Sequence, residues 1–314
     1  MFYNVENAFD IYDDPVTNDD DFLPSGIMRW NYGRYKKKIN QLYKTIIAAG
    51  EWNPPEIIAF CEVENRKVLE DLCYGTYLSR YEYRIIHSDS PDERGIDVCL
   101  IYRNDLVNII TSEYWIPQEN EEGEFTSRST LYVKAGYYAD TIHVIVNHWP
   151  SRRGGVMAGK DLRMDISSMI RQKTDSISKK SKGSAKIIIS GDFNCNPDDQ
   201  EILALTAPGE TGEYLVNLSM TMAAEGSGSY RYRGTWEMID QVIVSESLLS
   251  GGSGLNTDLT MLHIFKPDFL LIQDQKYPGS TPFSTYRGFR YQGGYSDHLP
   301  VLIDLGPKVQ TRKE

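Results

Sequence analysis

Two kinds of apolar spacing alternate along this chain. Short blocks, either continuously apolar or alternating with period two, cover residues 2–5, 56–62, 81–86, 96–102, 107–115, 128–138, 141–149, 187–191, 238–244 and 301–305, and each is expected to be a strand. Between them come stretches of helical spacing. Ile39, Leu42, Tyr43, Ile46 and Ile47 predict a helix over 35–49 that stops at Gly50, and Val68, Leu69 and Leu72 predict a short one. Leu162, Ile166, Met169 and Ile170 mark the apolar face of a helix over 159–177, and a further short helix is expected over 201–205. No internal repeat or low-complexity linker divides the pattern, so the reading is one α/β domain over residues 1–314.

The strand ends are more polar than this pattern requires. Ile187, Ile188 and Ile189 lead into Gly191, after which Asp192 and Asn194, two apart on extended backbone, are expected to project together from the carboxyl end of a buried strand. Open α/β sheets carry their ligands at such ends. On these residues alone, an Asx-rich turn into a helix capped by Asp198 or Asp199 is an equal account.

Glu62 and His148 end two further strands, Asn4 sits in the first, Asp240 interrupts the apolar run over 238–244, and Asp297 and His298 precede the last. Asp97 interrupts another apolar run, where it must face solvent or be paired, because an unpaired buried charge costs several kcal/mol. Ser151, Arg152, Arg153, Gly154 and Gly155 combine guanidinium groups with glycines, as phosphate sites do and as exposed basic turns do. The alternation Tyr230, Arg231, Tyr232, Arg233 suits base stacking with phosphate contact, and equally an edge strand. Asp10, Asp13, Asp14, Asp19, Asp20 and Asp21 lack EF-hand spacing and are read as a solvated acidic loop.

Composition narrows the class. With 40% hydrophobic and 25% charged residues the chain is an ordinary globular protein, and a formal net charge of −11 speaks against a wide basic face that grips nucleic acid. A nuclease that holds phosphates through a few arginines and a divalent ion is still compatible with it. Cys61, Cys73, Cys99 and Cys195 lack CxxC pairing and are read as buried free thiols. No apolar run reaches membrane-spanning length. The chain opens on Phe2, Tyr3, Asn4 and Val5 as if in the middle of a strand, so the expectation is an upstream segment cut away, with a secretory signal left open and the compartment unassigned.

Taken in order, Tyr3-Asn4-Val5, Cys61-Glu62-Val63, Asn147-His148-Trp149-Pro150, Gly191-Asp192-Phe193-Asn194, Ile239-Asp240-Gln241 and Ser296-Asp297-His298 closely resemble the motifs of the endonuclease/exonuclease/phosphatase family. That family includes deoxyribonuclease I, the apurinic-site endonucleases, inositol polyphosphate 5-phosphatases and neutral sphingomyelinases. The resemblance implies a four-layer α/β sandwich, with two mixed β-sheets face to face and helices on the outer faces. It also implies metal-dependent hydrolysis of phosphate esters at one rim. Glu62 is then expected as the Mg²⁺ or Mn²⁺ ligand, with Ca²⁺ as an alternative ion, and Asn4, Glu6 and Asp297 close to it. Asp192 would orient or deprotonate the attacking water, and Asn194 would hold a phosphoryl oxygen. His298, kept in its tautomer by Asp240, would contact the phosphate. His148 matches the histidine that protonates the leaving oxygen in the deoxyribonuclease-like branch, and Asp97 is expected to partner it and keep it charged. Arg152 and Arg153 are expected on substrate phosphate, with Arg231, Arg233, Arg287 and Arg290 behind them. His87, His143 and His263 are read as structural.

Two functions follow. The primary expectation is an endonuclease-type phosphodiesterase acting on nucleic acid as a monomer, which the Tyr–Arg alternation and His148 favour. The alternative is a phosphatase or phosphodiesterase for a small phosphate ester, such as a phosphoinositide, a sphingomyelin-type headgroup or a nucleotide, which the acidic surface favours. A non-catalytic binding module is disfavoured, because every core site residue is present.

Overall fold

The computed structural model describes residues 1–117, 128–152, 159–210, 212, 214–250 and 254–307. Two six-stranded sheets form its centre. In the first, β1 (Phe2–Ala8) runs parallel to β2 (Ile57–Val63). Beyond β2 the sheet continues antiparallel through β4 (Asp97–Arg103) to β3 (Tyr83–Ile86) at the edge. On its other side β1 pairs with Val301–Ile303, and that strand with Leu262–Ile264. The second sheet runs in the order β5 (Val107–Trp115), β6 (Thr130–Tyr137), β7 (Asp140–His148), β8 (Lys186–Asp192), Asp240–Ser245 and Leu215–Asn217. There β7 and β8 are parallel and the remaining pairs antiparallel.

Period-two alternation decides which faces meet. Ala59, Cys61, Val98 and Leu100 of the first sheet pack against Val144, Val146, Ile188, Val242 and Val244 of the second, forming a core between the sheets. Residues of opposite parity face helices. Ile58 and Phe60 lie under α1 (Tyr32–Ala49) and α2 (Arg66–Tyr74), whereas Ile187, Ile189 and Ile243 lie under α3 (Lys160–Lys180) and α4 (Gln200–Thr206). The unbroken Ile187–Ile189 run thus serves two cores, and each fully buried isoleucine contributes about 2 kcal/mol relative to exposure. Asn31 and Asn65 start α1 and α2 by accepting hydrogen bonds from the amides of Arg34 and Val68. The result is the expected sandwich of two mixed sheets with helices on the outer faces.

Several expectations shift in detail. The block over 81–86 opens as a 3-10 turn, Tyr77–Tyr81, before its strand, and Asp240 begins its strand rather than interrupting it. β8 continues through Gly191 to Asp192. A Cβ at Gly191 would lie 2.4 Å from the Asn147 carbonyl oxygen, so only glycine fits beside that neighbour. The acidic loop is not simply solvated. Asp10 and Asp19 are buried, and Asp10 is held through its backbone amide by Glu64 and through its carboxylate by Asn65. All four cysteines are buried and unpaired. Among the described residues no helix is long and apolar enough to cross a membrane.

Candidate active site

Strand register assembles one side of the site. His148 of β7 lies beside Asp192 of β8, and Asp192 lies beside Asp240 on the next strand. Three chemically active side chains therefore form a row across adjacent strands at one rim. Asn4 reaches the row from the other sheet, its amide donating to Asp192 Oδ2 at 3.0 Å and Glu62 Oε1 at 3.3 Å. Glu62 is brought there by an irregularity. The β1–β2 register shifts between Asn4 and Ala8, the β2–β4 register shifts between Cys61 and Val63, and Glu62 adopts a left-handed φ of 64°. Such backbone costs of order 1 kcal/mol or more in a non-glycine residue and concentrates at functional sites. The Glu62 carboxylate also accepts the Asn7 amide at 3.0 Å and lies 3.7 Å from His148 Nε2.

A second arm comes from the loop before the last strand. His298 Nδ1 is 2.7 Å from Asp240 Oδ2, leaving Nε2 directed towards Asp192 Oδ2 at 3.8 Å. Burial alone would lower the His298 pKa, but the carboxylates of Asp240 above all, with Asp192 and Asp297, outweigh it and hold the imidazole well above its ordinary value. Asp192 accepts the Asn194 amide at Oδ1, 2.9 Å away, and burial pushes its carboxyl up to about 7, Asp240 and Glu62 adding to the shift while His298 opposes it. Ser229, which sequence reasoning missed, donates to Asp240 Oδ2 at 2.5 Å and accepts the Asp240 amide at 3.2 Å. It lies in a stretch with no periodicity, so only its place next to the Tyr–Arg alternation could have drawn notice. The Tyr230 ring packs on His298, tilted by 34° with centroids 4.8 Å apart.

Other expected residues lie elsewhere or act differently. Asp97 does not support His148. Its carboxylate accepts the Ser90 amide at 2.8 Å and pairs with His87 Nε2 at 3.0 Å, and β4 places it opposite Val63. His148 Nδ1 is buried without a hydrogen-bond partner among the described residues. Burial, with the charges of Arg128, Arg94 and His298, pushes its pKa well below the ordinary value, the opposite of the direction an Asp97 partner would give. Asn194 does not extend beside Asp192. Its backbone turns left-handed at φ 49°, and its side-chain amide donates to the Trp149 carbonyl at 3.0 Å. Glu6 is buried, its carboxylate accepting the amides of Thr285 and Tyr286 at 2.5 and 2.9 Å and its own amide donating to Asn4 Oδ1 at 3.0 Å.

Arg152 is paired with Asp199. Arg231 bonds the carbonyls of Gly234, Pro278 and Ser280 and pairs with Asp274. Arg233, Arg287 and Arg290 are exposed, and Arg153 lies outside the described residues. Asp297, its side chain 42% exposed, lies 4.0 Å from His298 Nε2. His143 packs on Tyr132, and His263 pairs with Asp304 on the surface. The donors gathered at the rim are carboxylate oxygens of Glu62, Asp192 and Asp297 beside the Asn4 carboxamide. Two of these carboxylates share one amide, and such a hard oxygen set suits Mg²⁺ or Mn²⁺.

A two-sheet sandwich with carboxylates and histidines converging on one rim suits a phosphoesterase hydrolase. The chain belongs to the Endonuclease/Exonuclease/phosphatase family, whose profile matches residues 1–306. Among solved structures it resembles a Bacteroides thetaiotaomicron mannosyl-6-phosphatase, at 15% identity and a TM-score of 0.60, covering 97% of this chain and 98% of that one. It also resembles the human Nocturnin catalytic domain with bound sulfate, at 17% identity and a TM-score of 0.55 over 87% of each chain. Humanized D. rerio TDP2 is similar at 13% identity and a TM-score of 0.56, covering 88% of this chain and 94% of that one. No curated protein sequence matches this chain.

Proposed function

We propose that this chain, acting as one catalytic unit, hydrolyses a small phosphate ester of the sugar-phosphate kind, using a divalent ion and water activated by Asp192. The observation that carries the choice of substrate is the state of Arg152 and Arg231; Arg233, Arg287 and Arg290 are exposed and decide nothing between the two readings. Arg152 and Arg231 are satisfied internally by Asp199, by Asp274 and by backbone carbonyls, so neither is offered to a polyanionic backbone. A net charge of −11 supports the same reading, since nucleic-acid affinity is dominated by phosphate contacts. The similarity to a mannosyl-6-phosphatase over nearly the full length of both chains is compatible with it.

Glu62, with Asn4 and Asp297 beside it, would hold Mg²⁺ or Mn²⁺, which when bound neutralises charge on the phosphoryl group. The chain's own side chains do the rest. Asp192, fixed on one oxygen by the Asn4 amide and on the other by the Asn194 amide, orients the attacking water and takes its proton. His298 presents a positive Nε2 to a phosphoryl oxygen while Asp240 holds Nδ1. His148, its Nε2 3.8 Å from Asp192 Oδ2, stands at the same rim and is placed to hydrogen-bond the ester.

The test is phosphate release with Mg²⁺ or Mn²⁺ from sugar monophosphates, inositol phosphates and nucleotides, run beside nicking of plasmid DNA and cleavage of RNA. Turnover of a small ester that EDTA and Asp192→Asn both abolish supports the proposal. Metal-dependent cleavage of nucleic acid with every small ester inert would replace it with the nuclease reading, which the Tyr230 and Tyr232 hairpin favours.

A further inference from the structure

Cys61 lies in β2 immediately before the irregularity that turns Glu62 to the rim, and its side chain belongs to the core between the sheets. It therefore sits beneath the row of active side chains. Ligand atoms of Cys61, His148 and Asp192 all lie within 4.8 Å of one another, and all three residues are buried. A thiol, an imidazole and a carboxylate converging at that range are not needed for hydrolysis by a hard oxygen-bound ion. We propose that Cys61, His148 and Asp192 form a site for a thiophilic divalent metal, Zn²⁺ above all, which competes with the productive ion and inhibits.

The geometry and chemistry agree. Zinc bonds of about 2.3 Å to sulfur and about 2.0–2.2 Å to nitrogen and oxygen place tetrahedral donors roughly 3.3–3.6 Å apart. His148 Nε2 already lies 3.8 Å from Asp192 Oδ2 and 3.7 Å from Glu62 Oε1, so closure takes a few tenths of an ångström for these donors, Glu62 supplies a fourth position, and the Cys61 sulfur, within 4.8 Å of the His148 and Asp192 ligand atoms, closes the remainder by a side-chain shift. The buried His148 Nδ1 has no hydrogen-bond partner among the described residues, so no hydrogen bond ties down the ring's other nitrogen. On coordination the S–H bond of Cys61 breaks, its proton leaves to solvent, and the sulfur lone pair forms the metal bond. Thiolate favours zinc over magnesium. Zinc held there occupies Asp192 and His148 and stops the water step.

Cobalt(II) tests the site without substrate, so the result does not depend on which ester is hydrolysed. Added to metal-free wild-type protein, Co²⁺ is expected to give the near-ultraviolet charge-transfer band of a thiolate ligand, and stoichiometric Zn²⁺ to remove it. Cys61→Ser and Cys61→Ala should lose the band, with zinc affinity by chelator competition falling at least tenfold and far-ultraviolet circular dichroism verifying the fold. Cys99→Ala and Cys195→Ala should keep it. No band in folded wild-type protein, or a band that survives in folded Cys61→Ala, overturns the proposal.

Discussion

Replacing Asp240 with asparagine keeps the shape of the side chain and removes the charge behind His298. The His298 Nδ1 to Asp240 Oδ2 contact is 2.7 Å long and buried, the class of pair whose disruption costs about 3–5 kcal/mol. Asparagine still offers an acceptor oxygen, so the lower end applies. That figure concerns the fold; for catalysis, weakening a preorganised charged donor to the phosphoryl group costs about 3 kcal/mol of transition-state stabilisation, which lowers kcat/KM by roughly 150-fold at pH 7. The pH profile carries the sharper test. Because the folded pKa of His298 is raised, its cationic form persists above the ordinary value, and activity falls only as pH rises through that raised pKa. Its contribution to stability has the same sign, complete below about 6.5 and lost on the alkaline side. In Asp240→Asn both alkaline limbs should move to lower pH. Initial rates of phosphate release from pH 5.5 to 9, on the substrate that the panel identifies, together with melting temperatures, read both. A profile unchanged in position, or a rate within fivefold of wild type, would falsify the claim that Asp240 sustains a charged His298.

Further outcomes test other parts of the site. Asp97→Asn should destabilise the fold by about 1–2 kcal/mol through the His87 and Ser90 contacts, while the pH profile of kcat/KM stays in place; a displaced profile would return Asp97 to His148. Ser229→Ala should lower stability by about 2 kcal/mol in denaturant titration and weaken catalysis, since Asp240 loses a buried donor. Burial, aided by Lys134, pushes His143 to about 4, so the folded state takes up its proton later than the unfolded chain. Stability is highest above about 6.5 and is lost as pH falls towards 4, and His143→Phe should flatten the acid limb of a plot of Tm against pH. Glu62→Gln should raise the Mg²⁺ concentration needed for half-maximal rate by at least tenfold, and an unchanged requirement would remove Glu62 as the principal ligand.

What could be read from residue order alone depended on how local the cause was. The Ile187–Ile189 run declared a strand buried on both faces because each side chain fills one of two cores. Asp240 and His298 were legible through their motifs, and the distance between them follows from where the strand Asp240–Ser245 starts. Asp97 failed because a carboxylate in an apolar strand announces that it is paired, not with which histidine. His87 is ten residues away and closes a short connection, whereas His148 belongs to the other sheet. The arginines failed for a related reason: the partners of Arg152 and Arg231 lie on distant segments that no spacing rule connects to them. Asn194 shows a third limit. Extended backbone was assumed past Asp192, yet the chain turns left-handed there.

The row of His148, Asp192 and Asp240 has a consequence for how such a molecule changes over time. Its members are spaced by main-chain pairing between neighbours, so their mutual placement survives almost any alteration of the segments that arch over the rim. New specificities can therefore be tried in those arches at little risk to bond-breaking power. A slip of one position between β7 and β8 would instead swing Asp192 to the opposite side of the sheet, and activity would vanish at once rather than fade. Turnover in this architecture doubles as a gauge of whether those strands have married correctly.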